Sequence, residues 1–231
     1  MSDPGAEAVA LLSELVGIDS VNPGLVSGAA GEQRIVEHLR ARLERSGFAT
    51  TVVPANGHKG RPSLIALPTG PANGPTVVLN GHLDTVGVTG MPDPFTARVE
   101  DDRLYGRGAA DMKGGVAALV VAAECLVAAG APVTPVLALV ADEEDASLGS
   151  EAVIATLPGL DVRPDACLIA EPTDLALARS LRGFAVVRVQ FAGRAAHSSQ
   201  PSSASTRSPI SVACCTRSTS GRRRSERPVG T

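Results

Sequence analysis

The run Asn80-Gly81-His82-Leu83-Asp84-Thr85-Val86 sets an imidazole and a carboxylate two residues apart, directly after the apolar stretch Thr76-Val77-Val78-Leu79. In extended backbone, residues i and i+2 point to one face. His82 and Asp84 therefore leave a strand end side by side, which is a metal-ligand geometry. A polar loop that happens to hold one histidine is the plain alternative. Three further segments weigh against it. Gly106-Arg107-Gly108-Ala109-Ala110-Asp111 puts a carboxylate at the start of a helix. Val136-Leu137-Ala138-Leu139-Val140-Ala141 closes on Asp142-Glu143-Glu144, and Cys167-Leu168-Ile169-Ala170 closes on Glu171.

Four strand or strand–helix ends thus deliver acids or histidine, and in an open α/β sheet that edge is where ligands bind. Gathered carboxylates repel unless a cation neutralises them. One histidine with several acids suits zinc, or cobalt and manganese, better than an all-thiolate structural site. Two metals sharing one carboxylate would use this many ligands, polarise a carbonyl and acidify a bridging water. Glu143, beside the ligand candidate Glu144, can serve as general base. Taken by itself, the Glu143-Glu144 pair also reads as a solvated acidic turn.

Positioning these groups requires a sheet flanked by helices. Residues 6–18 carry Val9, Leu12, Leu15 and Val16 at helical spacing, and residues 31–46 repeat the pattern with Ile35, Leu39 and Leu43 before stopping at Gly47. Strands are expected near 49–53, 64–67, 77–79 and 103–105, divided by turns such as Pro68-Thr69-Gly70-Pro71. Residues 112–129 read as a broadly apolar, buried helix, with Asp111 meeting the positive end of its dipole. Another helix is expected over 150–157. From Phe184 to Phe191 the residues alternate as a strand that would open a new sheet.

The composition fits a soluble enzyme with a core, or a core and a small second unit. Packing must rest on Ala, Val and Leu, because the chain has one Tyr, no Trp and four Phe. The same scarcity argues against nucleic-acid recognition by base stacking. Met1-Ser2-Asp3-Pro4-Gly5-Ala6-Glu7 offers no basic region ahead of an apolar stretch, so no signal peptide is expected. The apolar run over 114–129 is interrupted by Glu124 and too short to span a bilayer, so no membrane partner is expected. The four cysteines lack zinc-ribbon or secreted-scaffold spacing, which makes a reducing cytoplasm the default.

In order and spacing, these motifs resemble the dinuclear zinc metallopeptidases and deacylases of peptidase family 20. That family includes acetylornithine deacetylase, succinyl-diaminopimelate desuccinylase, aminoacylase-1 and carboxypeptidase G. The likeness covers roughly residues 1–201. It implies an α/β catalytic domain with a central mixed sheet over 1–180, incomplete at its C-terminal side, and the start of an α+β lid or dimerisation domain over 181–201. By position, His82 resembles a ligand of the first metal, and Asp84 the acid that orients it. Asp111 resembles the bridging carboxylate, followed in the family by a cis peptide. Glu143 resembles the base that moves a proton from water to the leaving amine, Glu144 a ligand of the second metal, and Glu171 an acidic ligand of the first. His197, in Gly193-Arg194-Ala195-Ala196-His197-Ser198-Ser199, resembles the lid histidine that steadies the oxyanion, often across a dimer interface. A His in a Gly/Ala/Ser loop is otherwise a surface residue. The implied activity is metal-dependent hydrolysis of the amide bond of N-acyl amino acids, with two Zn2+ per intact site and homodimeric intact relatives. Carboxypeptidase or dipeptidase action on the same scaffold, and an inactive metal-binding fragment, are the alternatives.

The pattern breaks after Pro201. Twelve of the last thirty residues are Ser or Thr and six are Arg, and without them the net charge is −8 rather than −3. A natural disordered basic tail has such a composition. A frame slip in a GC-rich gene is the preferred expectation. Ser203-Ala204-Ser205-Thr206-Arg207-Ser208 can be encoded so that reading one nucleotide earlier gives Leu/Val-Gly-Val-Asn-Ala-Ile, similar to the family's continuation beyond this segment. The family's C-terminal histidine ligand of the second metal has no match here, since His38, His58 and His82 all precede the lid. The first metal is therefore expected to be better supported than the second, and apolar sheet surface is expected to lie open.

Overall fold

The computed structural model describes residues 3–55, 60–180, 193–194 and 205–206. The chain divides into two units, Met1–Leu177 and Ala178–Thr231. The first opens with α1 (Pro4–Val16), where the Asp3 carboxylate accepts the Gly5 N–H at 2.9 Å and Pro4 occupies the first turn. Pro lacks an N–H to orphan there, so this start follows from the sequence. Helix α2 (Gln33–Arg45) runs to Ser46, and Gly47, at φ +84°, turns the chain into β1 (Phe48–Pro54).

The strands β2 (Pro62–Pro68), β3 (Thr76–His82), β6 (Thr134–Val140) and β7 (Ala166–Ile169) join β1 in one sheet of order β1-β2-β6-β3-β7. A separate hairpin pairs β4 (Arg98–Glu100) with β5 (Arg103–Tyr105). The β1-β2-β6 pairs are antiparallel, whereas β6-β3-β7 are parallel. The sheet is therefore mixed and flanked by helices, in agreement with the α/β expectation. Parallel strands of one sheet need helical crossovers. These are α3 (Gly114–Ala128) from β3 to β6, and α4 (Leu148–Thr156) with the 3-10 turn Leu157–Leu160 from β6 to β7.

Alternation along β6 distributes its side chains to both faces. Leu137 and Leu139 join Leu64, Ala66 and Leu79 against α1, α2 and α3. Val136, Ala138 and Val140 join Ile65 and Val78 against α4. A strand apolar on both faces is what a buried central strand requires, and each of these Val, Leu and Ile side chains contributes roughly 1.5–3 kcal/mol on burial.

Several expectations need correction. The helix after Asp111 begins at Gly114, because residues Ala109–Lys113 form a π-type turn in which Asp111 is extended (φ −123°, ψ 100°). Asp111 is thus not at the helix N-terminus, and the dipole argument does not apply to it. Helix α4 starts at Leu148 rather than Ser150, and β4 was not foreseen. The apolar residues of β7 lie exposed along an outer strand, with Leu168 and Ile169 about half accessible. No helix among the described residues is long and apolar enough to cross a membrane. In the second unit Gly193–Arg194 pairs antiparallel with Ser205–Thr206. The strand expected over 184–191, His197 and the stretch 207–231 lie outside the described residues.

Candidate metal centre

Strand register brings the candidate groups together. Along β3, His82 is level with Val140 of β6, and Asn80 is level with Ile169 of β7. Carrying these registers two residues further sets Asp84 beside Asp142 and His82 beside Glu171. Because the three strands are parallel, all of these groups leave the same edge. Two packing features bring in Asp111. The Lys113 ammonium, buried beneath the turn, donates to the Leu15 and Ile18 carbonyls at 2.9 and 2.7 Å, tying the π-turn to the C-terminal end of α1. Burial pushes its pKa down to about 8. The Met112 sulfur accepts the His82 N–H at 3.1 Å. The peptide between Asp111 and Met112 is cis.

His82 is buried, with its two ring nitrogens turned in opposite directions. Nδ1 lies 3.0 Å from the Asp84 main-chain oxygen and 3.6 Å from Asp84 Oδ1. The closer partner is thus the carbonyl of Asp84, with its carboxylate behind. Nε2 faces the cleft, 2.9 Å from Asp111 Oδ1 and 3.9 Å from both Glu143 Oε2 and Glu171 Oε1. Two groups have donor atoms all within 4.8 Å of one another: His82 with Asp111 and Glu144, and His82 with Glu143 and Glu171. The structure therefore brings together His82, Asp84, Asp111, Glu143, Glu144 and Glu171. It places Glu143, expected only as a base, as near to Nε2 as Glu171. His38 instead pairs with Glu14 at 2.9 Å on the surface.

The electrostatics fit a cation. Burial raises the carboxyls of Glu144 and Glu171, and the neighbouring charge of Asp111 raises both further. Burial opposes charge on His82, yet Asp84, Asp111 and Glu171 together raise its pKa to about 10. An imidazole held as a cation by surrounding carboxylates occupies a place where a metal ion could replace its Nε2 proton. The donor set, one imidazole with carboxylate oxygens, is one that zinc accepts.

Asp84 is the hub behind the cleft. Its Oδ1 accepts the Glu143 N–H at 3.0 Å, and its Oδ2 accepts the Glu144 N–H at 3.1 Å and the Asn22 amide at 2.7 Å. Burial disfavours its charge, but these bonds and His82 outweigh that and hold its pKa low. Sequence reasoning missed Asn22, Glu32, Arg61 and Asp142 as parts of this surround. The one available signal was Ser20-Val21-Asn22-Pro23-Gly24, an Asn at the head of a Pro-Gly turn. Two glycines admit the close packing. A Cβ on Gly115 would sit 2.2 Å from the Ala170 carbonyl oxygen, one residue before Glu171. Gly108, at φ +77°, has Thr85 where its Cβ would go. An apolar cavity of about 370 Å³ beneath β7, lined by Val78, Val140, Val153, Cys167 and Ile169 among others, includes none of the candidate ligands.

Residues 78–220 match the model of Peptidase family M20/M25/M40. A succinyl-diaminopimelate desuccinylase of Dinoroseobacter shibae is 38% identical over 179 residues, which is 75% of this chain and 44% of that protein. An acetylornithine deacetylase of Pasteurella multocida is 33% identical over 171 residues, covering 73% and 44%. Among solved structures, an M20 family metallo-carboxypeptidase from Sulfolobus solfataricus aligns with TM-score 0.60 at 25% identity, over 71% of this chain and 37% of that one. Human carnosine dipeptidase 1 aligns with TM-score 0.58 at 26% identity, over 71% and 38%. The chain spans about half the length of the curated relatives it matches.

Proposed function

The chain belongs to peptidase family M20/M25/M40, and from that premise we propose that it is part of a zinc-dependent hydrolase of the amide bond in N-acyl amino acids. The observation that carries this reading is the convergence of carboxylates from three separate segments on His82 Nε2, Asp111 at 2.9 Å and Glu143 and Glu171 at 3.9 Å.

His82, Asp111, Glu144 and Glu171 would hold the metal, two ions in an intact site. Zinc suits these donors, and cobalt or manganese could replace it. Such a metal, when bound, supplies Lewis-acid polarisation of the substrate carbonyl and lowers the pKa of water. Glu143 takes the proton from the attacking water on a carboxylate oxygen and delivers it to the leaving nitrogen as the C–N bond breaks. Asp84 orients the imidazole. His197 belongs to a lid that begins over 181–201, where it steadies the oxyanion. Residues 1–180 form the catalytic part and 202–231 an aberrant tail. The free thiols of Cys125 and Cys167 fit a reducing cytoplasm, and intact relatives would be homodimers.

Deacylation is preferred because the desuccinylase and deacetylase relatives are 38% and 33% identical, against 25% and 26% for the carboxypeptidase and dipeptidase structures. The half-length coverage supports one other reading, an inactive metal-binding fragment. Metal content by mass spectrometry, with a panel of N-succinyl and N-acetyl amino acids and dipeptides, tests both. About two metals per chain with N-acyl turnover would carry the deacylase reading and rule out the fragment. Dipeptide turnover alone would move the substrate class, and one metal or none without turnover would favour the fragment.

A further inference from the structure

We infer that Asn22, Arg61, Glu32 and Asp142 form a buried positioning relay that holds the Glu143-Glu144 turn in place against Asp84, and so sets the metal affinity of the centre without touching the ions. This rests on the metal-binding reading of His82 and its carboxylates. All four side chains are at least nine-tenths buried. The Arg61 guanidinium meets Glu32 with two parallel bonds, Nε to Oε2 at 2.8 Å and Nη2 to Oε1 at 2.7 Å. Nη2 also lies 2.8 Å from Asp142 Oδ1. The same Asp142 oxygen accepts the Asn22 amide at 3.1 Å, and that amide reaches Asp84 Oδ2 at 2.7 Å. The Asn22 carbonyl oxygen accepts the Gly24 N–H at 2.7 Å. That bond fixes which way the amide faces and leaves both its hydrogens for the two carboxylates.

Three buried carboxylates share one guanidinium and one amide. Apolar side chains of similar volume generally serve stability as well as a buried ion pair does, so stability alone gives little reason for the arrangement. Geometry gives a better one. Asp142 has φ +65°, a left-handed turn in a non-glycine residue, and its carbonyl accepts the N–H groups of Ala146 and Ser147. That turn aims the next two N–H groups at the two oxygens of Asp84. Arg61 and Asn22 grip the Asp142 side chain from two directions, and the planar fork of Arg61 suits two anions at once. Burial pushes the Glu32 carboxyl up while Arg61 pulls it down, and the balance leaves it raised.

The test titrates Co(II) into the metal-free 231-residue chain and follows its visible absorption, for the unsubstituted protein, Asn22→Ala and Arg61→Lys. Thermal unfolding of each metal-free protein runs alongside. Asn22→Ala is expected to weaken Co(II) binding about 10–100-fold and to shift the absorption bands. Arg61→Lys keeps the charge and loses the fork, so a smaller weakening in the same direction is expected. Should Asn22→Ala fail to fold, Arg61→Lys decides. Lower unfolding temperatures with unchanged affinity and bands in the folded variants would mean a purely structural cluster and overturn the relay. If the unsubstituted chain takes up no Co(II), the metal-binding reading itself falls, and the relay with it.

Discussion

The two nitrogens of His82 look onto unlike surroundings. On the Nδ1 side, Asp84 is fully buried, and both its oxygens are engaged by main-chain and amide N–H groups. On the Nε2 side, Asp111, Glu143 and Glu171 stand 55%, 45% and 36% exposed, with no cationic side chain among their described ion pairs except His82 itself. One side is satisfied by hydrogen bonds within the protein, and the other is a cluster of like charges around one imidazole. Rigid support behind and unbalanced charge in front together describe a centre preorganised for a ligand the protein does not itself supply.

Substitutions can break or sharpen this contrast. The largest effect is expected from His82→Ala, which removes the group common to both donor clusters, so metal uptake measured by mass spectrometry should be lost. Asp84→Ala strips buried His82 of its carboxylate partner and leaves the Glu143 and Glu144 N–H groups and one hydrogen of the Asn22 amide without an acceptor. Breaking a buried pair of this kind costs about 3–5 kcal/mol, to be read from urea unfolding of the metal-free chain. Glu143→Gln touches only the open side. It should leave metal content unchanged while lowering kcat for an N-acyl amino acid by about 10²–10⁴-fold, the usual weight of a general base. The smallest effect is expected from Gly115→Ala, whose Cβ would press on the Ala170 carbonyl. A stability loss of about 1–3 kcal/mol with weaker metal binding is expected, and wild-type binding would show that the Glu171 end tolerates displacement.

Much of the open side was legible in the sequence. The acids that close the apolar runs, Glu143-Glu144 and Glu171, follow from the strand ends, and the i, i+2 spacing sets Asp84 beside His82, though on its supporting side. Helices α1 and α2 were legible from their apolar spacing. Asp111 was identified as a site residue but misplaced, because nothing in Gly108-Ala109-Ala110-Asp111 announces a π-type turn before α3. The supporting side was hardly legible. The Asp84 carboxylate is met by main-chain N–H groups 59 and 60 residues away, and a side chain's identity says nothing of such partners. Glu32 and Arg61 look like surface charges in sequence, and only the fold buries them together.

The parallel order β6-β3-β7 has a consequence for how the chemistry can change over evolutionary time. Adjacent strands lie about 4.7–4.9 Å apart. The hydrogen-bond ladder therefore works as a ruler: it dictates how far apart the tips of three consecutive strands can hold their acids, whatever side chains fill the interior. Mutations that repack the strands leave that ruler unmarked, and drift in the core is decoupled from the spacing of the acids at the cleft.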